Sequence, residues 1–165
     1  MAHLVSTLFH RSFPGPFDYF PSHDGVDETF ELTCLTTDDF VIATHFWDER
    51  EWAETRIAVV AAVLNDSLGG EDEDFLAALN PQTLAHFRDQ LPGPYFVKVE
   101  YCDYMGIQFC VNCRTSGETV IHTTQRYSAL TACTVARNIA AVLNSAFLDD
   151  LIPAAIANAE ARSPA

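Results

Sequence analysis

The chain has 165 residues, 48% of them hydrophobic and 12% aromatic, and a formal net charge of −14. That length suits one domain with a sizeable core, and the apolar content excludes a chain disordered by composition. The charge is lopsided: residues 1–80 hold 16 of the 23 acids and three of the nine Lys+Arg, a balance of −13, and residues 81–165 carry the remaining −1.

A field of one sign disfavours DNA, RNA and anionic lipid as direct ligands and steers basic partners toward the surface. No apolar run approaches the ~20 residues of a membrane span. The start, Met1 to Phe9, lacks a basic segment followed by a long apolar one, so it does not read as a secretory signal. Five cysteines, an odd number in a chain this long, point to a reducing compartment, free thiols and a cytoplasmic location.

Residues 1–27 read as an irregular arm rich in aromatics and proline, with Phe9, Phe13, Phe17, Tyr19 and Phe20 set among Pro14, Pro16 and Pro21. Proline at this density argues against a regular helix or a central strand. The arm is expected to plug the core edge with its aromatics; the alternative is a partner-binding arm.

Two strands follow. Phe30, Leu32 and Cys34 alternate with Glu31 and Thr33, and Phe40, Ile42, Thr44 and Phe46 alternate with Val41, Ala43 and His45. Thr36-Thr37-Asp38-Asp39 supplies the turn of a hairpin. Asp48 with Glu51 forms a capping box that opens a helix over 48–68, with Ile57, Val60, Ala61 and Leu64 facing inward. Gly69-Gly70 ends it. The run Glu71-Asp72-Glu73-Asp74 leads into a short helix, Phe75 to Leu79, and Pro81 begins another, to about Leu91. Pro92-Gly93-Pro94 stops that one.

Three more strands are predicted from alternation: Tyr95 to Tyr101, Ile107 to Cys113, and Thr119 to Thr123. A last helix runs over 128–148, and residues 149–165 form a short tail. The expected fold is therefore a single α+β domain over 1–165, in the order β-β-α-α-α-β-β-β-α. Its antiparallel sheet has about five strands with helices on one face. Val97, Val99, Phe109, Val111, Ile139 and Val142 are predicted core residues alongside those named above. No repeat of solenoid period is present.

Several groups could carry chemistry. Cys110-Val111-Asn112-Cys113 is a Cys-x-x-Cys inside a predicted strand, where residues three apart point to opposite faces; no second pair is present, so no metal site is expected. Matching the apolar faces of the strands places Cys110 across from His122 and beside Lys98, a thiol near an imidazole and an ammonium, which is the setting of a nucleophile of lowered pKa. Leu8-Phe9-His10-Arg11-Ser12 is similar, over five residues, to the first-strand His motif of ADP-ribosyltransferases. Those enzymes also need a central aromatic and a late Glu. Tyr19 or Tyr101 and Glu118 are the candidates here, nothing fixes them, and no family is assigned. His3, His23, His45 and His86 are scattered, and the Glu71–Asp74 run lacks the loop of a calcium site. No phosphate loop, nucleophile elbow or dinucleotide fingerprint occurs.

These features favour an acidic, stoichiometric inhibitor that occupies a basic, nucleic-acid-binding surface of a partner protein. Its charge and size parallel anti-defence proteins of phage, anti-CRISPR proteins among them, and immunity proteins. The binding residues expected are Asp38, Asp39, Asp48, Glu49, Glu51, Glu54, Glu71, Asp72, Glu73 and Asp74, with Trp47 and Trp52 as aromatic anchors. No catalytic residue, cofactor or metal is expected. The alternatives are a small enzyme of thiol- or ADP-ribosyl-transfer type using Cys110/His122 or the His10 region, and a binding protein resembling a secretion chaperone.

Overall fold

The computed structural model describes residues 9–24, 27–45, 49–69, 74–103, 106–123 and 128–148. Residues 9–12 are the described part of helix α1. Then come β1 (Phe17–Asp24), β2 (Asp27–Cys34), β3 (Asp39–His45), α2 (Arg50–Asp66), α3 (Phe75–Ala78), α4 (Pro81–Gln90), β4 (Tyr95–Cys102), β5 (Gly106–Cys113), β6 (Thr119–His122) and α5 (Ala129–Leu148). All neighbouring strands are antiparallel, in one six-stranded sheet of order β1-β2-β3-β6-β5-β4. The α+β architecture read from alternating hydrophobicity is the observed one. No helix among the described residues is long and apolar enough to cross a membrane.

The sixth strand comes from the arm, which is not irregular. Residues 9–12 are helical and β1 pairs with β2 along its whole length, from Phe17 opposite Cys34 to Asp24 opposite Asp27. Proline permits this because β1 lies at the sheet edge, where Pro21 need not donate to a further strand. Phe9, Phe13 and Phe17 are buried in the core, as expected of plugging aromatics, while Phe20 is half exposed. Helix α2 starts one residue later than the expected capping box. Its N-cap is Glu49, whose side chain makes no capping bond, and Asp48 lies outside the described residues. Asp74 caps α3 by accepting the Ala77 N–H, and Asn80 caps α4 ahead of Pro81. Val99 is a second correction. With Tyr101 and Ile107 it is mostly exposed, because the far half of edge strand β4 and its β5 partner extend beyond the helices.

The two halves of the chain repeat one another. Each runs helix-β-β-β-helix. Pro14-Gly15-Pro16-Phe17 before β1 matches Pro92-Gly93-Pro94-Tyr95 before β4, and Ala-Ala-Val-Leu-Asn occurs at 61–65 in α2 and at 140–144 in α5. The structural details match too. Gly15 and Gly93 both have positive φ, 76° and 86°, and donate their N–H to the buried thiols of Cys34 and Cys113 at 3.3 Å. Their carbonyls accept from Thr36 and Thr115. A Cβ at Gly15 would stand 2.5 Å from Leu68 Cδ1, and one at Gly93 3.3 Å from Leu148 Cδ2, so each glycine lets the chain pass close to the end of its own half's helix. Even a bulge recurs: the register shifts after Leu32 and after Val111, leaving Val41 and Val120 as extra residues that both enter the core.

At the centre Ala43 pairs with His122, each facing its own counterpart. That is the signature of a two-fold axis through the sheet. Such an axis puts α2 and α5 side by side on one face, where Ile57, Val60, Leu64, Val135, Ile139 and Leu143 form the core with Leu32, Ile42, Val111 and Ile121.

The first residue of each edge strand is paired by the shared asparagine. Phe17 N–H donates to Asn65 Oδ1 at 2.8 Å and Asn65 Nδ2 donates to the Phe17 carbonyl at 2.9 Å. Asn144 does the same for Tyr95, at 2.8 and 2.9 Å. The side-chain amide thus supplies the pairing that a further strand would supply. Asn65→Ala and Asn144→Ala should each lower stability by about 1–3 kcal/mol, since both leave two backbone groups unpaired. Chemical denaturation of the two variants checks this; no loss in either would remove the role given to the asparagines.

Candidate functional site

Among the described residues, polar side chains come together in a groove along α2 on the helical side and in a row across the opposite sheet face.

The groove runs between β1 and the α3–α4 segment. Helix α2 presents small residues there, with Ala58, Ala61 and Ala62 as lining. A helix surface of alanines lies low between its neighbours, and Phe75, Ala78 and Leu79 of the α3 segment form one wall while Pro16 to Tyr19 form the other. Toward the start of α2 the lining turns polar and acidic: Glu51, Glu54, Thr55, Asn80 and Thr83 join Tyr19. At the far end stands Leu35, about half exposed, the first residue of the β2–β3 turn. Burial, the Glu54 and Asp18 carboxylates, and a hydrogen bond to Glu54 hold the Tyr19 hydroxyl above its ordinary pKa. The groove is therefore apolar along its floor and negative at one end, which suits a ligand with both cationic and apolar groups.

Of the binding residues expected from sequence, the structure brings Glu51 and Glu54 into this groove, and Glu49 is exposed just ahead of them. Asp38, in the left-handed conformation at φ 56°, and Asp39 are exposed at the β2–β3 turn. Asp74 is exposed but committed to capping α3. Trp52 faces away from the groove. It is partly buried against His86 and Phe87, with the Arg56 guanidinium 5.6 Å from its ring centroid, so it is a packing residue. Trp47, Asp48, Glu71, Asp72 and Glu73 lie outside the described residues. Sequence reading placed Tyr19 among the plugging aromatics rather than in a groove, and it missed the alanine floor. The available signal was the run of alanines at 58, 61 and 62, spaced to share one helix face.

The second place lies on the sheet face away from the helices. Lys98 pairs with Cys110 and Cys110 with His122, the arrangement expected from matching apolar faces. Glu100, two residues along β4 on the same face, joins them. One ligand atom each of Glu100, Cys110 and His122 lies within 4.8 Å of the others. Lys98 Nζ is 2.9 Å from Glu100 Oε1 and holds that carboxyl below its usual range. Cys110 is fully buried, while Cys113 points to the core on the other side, so the Cys-x-x-Cys does not converge on one point.

Burial and the Glu100 carboxylate push the Cys110 thiol up to about 12, against a smaller opposing effect of Lys98. Such a thiol is protonated at neutral pH and is not an activated nucleophile. His10, the other residue considered for catalysis, stands on helix α1 with its ring 5.3 Å from that of Phe9, where a first-strand motif would require a strand.

No protein-family model, curated protein or solved structure matches the chain.

Of the described thiols, Cys34, Cys110 and Cys113 are buried and Cys133 is partly exposed. Iodoacetamide at pH 8 should therefore label Cys133 in the folded protein and spare Cys110, read by peptide mass spectrometry. Rapid labelling of Cys110 would show that its thiolate is accessible after all.

Proposed function

We propose that this protein is a stoichiometric binder that captures a basic, apolar-bearing surface or segment of a partner protein and so blocks it. The observation that carries this reading is the groove along α2. Its alanine floor accepts apolar side chains, and Glu51 and Glu54, with Asp18 beside Tyr19, offer carboxylates to Arg or Lys at one end. Charge-assisted pairs between carboxylate and guanidinium give such a contact its orientation and its speed, and the apolar floor supplies burial.

The net charge of −14 supports the same reading at longer range. A basic partner is drawn in before contact, and a surface that otherwise binds nucleic acid is an apt target, because it is already shaped for rows of negative charge. The groove also fits a chaperone that cradles an extended segment of its client. The two readings differ in outcome: an inhibitor displaces nucleic acid from a folded partner, and a chaperone holds a client that has not folded.

The test uses the full chain, immobilised, to capture partners from its native host at low salt. The triple variant Asp18→Lys/Glu51→Lys/Glu54→Lys is run alongside. The expected result is a basic protein retained by the wild type, released as ionic strength rises through the physiological range, and lost from the variant. The isolated partner should then lose its nucleic-acid binding at one-to-one addition of the wild-type chain. Capture that ignores salt and charge reversal would overturn the proposal.

A further inference from the structure

We infer that the sheet face opposite the helices carries a divalent-cation site, built from Glu100, Cys110 and His122 and suited to zinc. This goes beyond the binding function proposed above and uses none of its residues.

The three donors come from three neighbouring strands, β4, β5 and β6, and their placement follows from register. His122 stands directly across from Cys110, and Glu100 stands diagonally across on the other side. With one ligand atom of each within 4.8 Å of the others, they converge on one point above the sheet. Donors around a tetrahedral zinc at about 2.0–2.3 Å from the ion stand about 3.3–3.8 Å apart. Side-chain rotation closes that gap without moving the strands.

Cys110 differs from the other two buried cysteines: it is hydrogen-bonded to Glu100 rather than to a glycine N–H. Cys34 and Cys113 sit in the hydrophobic core and accept backbone N–H groups of Gly15 and Gly93, so their role is structural. Cys110 lies outside that core, on a face it shares with the buried amides Gln108 and Asn112. The internal repeat makes the same point. The counterparts of Glu100, Cys110 and His122 in the first half are Ser22, Glu31 and Ala43, at equivalent places in β1, β2 and β3. The fold closes there without this trio, so it does not require the trio.

The donor set selects the ion. Thiolate and imidazole are poor ligands for magnesium or calcium, which take oxygen, and good ones for zinc, which accepts sulfur, nitrogen and carboxylate together. Zinc binding exchanges the thiol proton for a zinc–sulfur bond, and the proton passes to solvent. It also displaces Lys98 from Glu100. The lysine side chain is 52% exposed and swings into water when the cation takes its place. Three protein donors leave the fourth position to water or to a donor atom of a ligand.

The experiment treats the full chain with chelator, then titrates cobalt(II) as a spectroscopic probe and zinc in competition with a chromophoric chelator. One equivalent of cobalt is expected, with a near-ultraviolet thiolate-to-cobalt band and the visible bands of four-coordination. Zinc displaces it, and magnesium and calcium do not. Cys110→Ser should abolish the thiolate band and weaken zinc at least tenfold; His122→Ala and Glu100→Ser should weaken it too. Lys98→Met should tighten binding severalfold, because it removes the competing cation; a merely structural role for the trio predicts no such gain. If Cys110→Ser fails to fold, His122→Ala carries the test, since it installs the residue that the first half holds at the same position. Absence of one-equivalent binding by the wild type, or unchanged binding in the Cys110 and His122 variants, would overturn the inference.

Discussion

The pairing of β3 with β6 is the joint on which this molecule depends. Each half of the chain makes a three-stranded sheet with one helix laid on it, and such a unit leaves a strand edge open and one flank of its helix bare. Joining the halves through Ala43 and His122 closes both inner edges at once and sets α2 against α5. With that seam closed, the core residues of α2 and α5 form one cluster rather than two. Arg56 ties the seam from above: its guanidinium, packed on Trp52 in α2, donates to the Thr119 carbonyl of β6.

Having closed the centre, the fold must still manage the outer edges. It does so identically on both sides, with an asparagine side chain standing in for a strand at Phe17 and at Tyr95. The glycine that precedes each edge strand permits the chain to turn in under its own helix, and the buried thiol that receives the glycine N–H leaves no donor unpaired. These devices recur because the two-fold relation presents the same physical problem twice.

What differs between the halves is their surface. The first half carries −13 of the charge and an acid-ended groove; the second is close to neutral and carries the Glu100–Cys110–His122 group. A scaffold whose stability rests on shared core, turn and edge residues is free to vary at positions that face outward. In this chain the variation places different chemistry on the two halves: a concentration of acidic side chains in one, and the compact Glu100–Cys110–His122 cluster in the other.

The local elements were legible in the sequence because each is encoded by its own burial pattern. Alternation in Tyr95–Tyr101 and Ile107–Cys113 named β4 and β5, the same alternation set their register, and that register placed Cys110 between Lys98 and His122. Pro81 and Asp74 announced helix starts through chemistry that needs no tertiary partner. The repeat is written in the sequence as well, in Pro-Gly-Pro and Ala-Ala-Val-Leu-Asn recurring 78 or 79 residues apart (15 to 93, 65 to 144), a spacing far longer than a solenoid period.

Strand order was not legible, and it decided the rest. Whether Pro21 sits in a strand depends on that strand being an edge, and whether Val99 is buried depends on how far a helix reaches across β4. Trp52 became a packing residue through α4, which lies distant in sequence. The groove beside Glu51 and Glu54 exists because β1 and α3 flank α2, and Glu100 meets Cys110 and His122 because β4 takes the outer place beside β5. Periodicity tells a side chain which face it occupies; only the assembled sheet tells it which neighbours share that face.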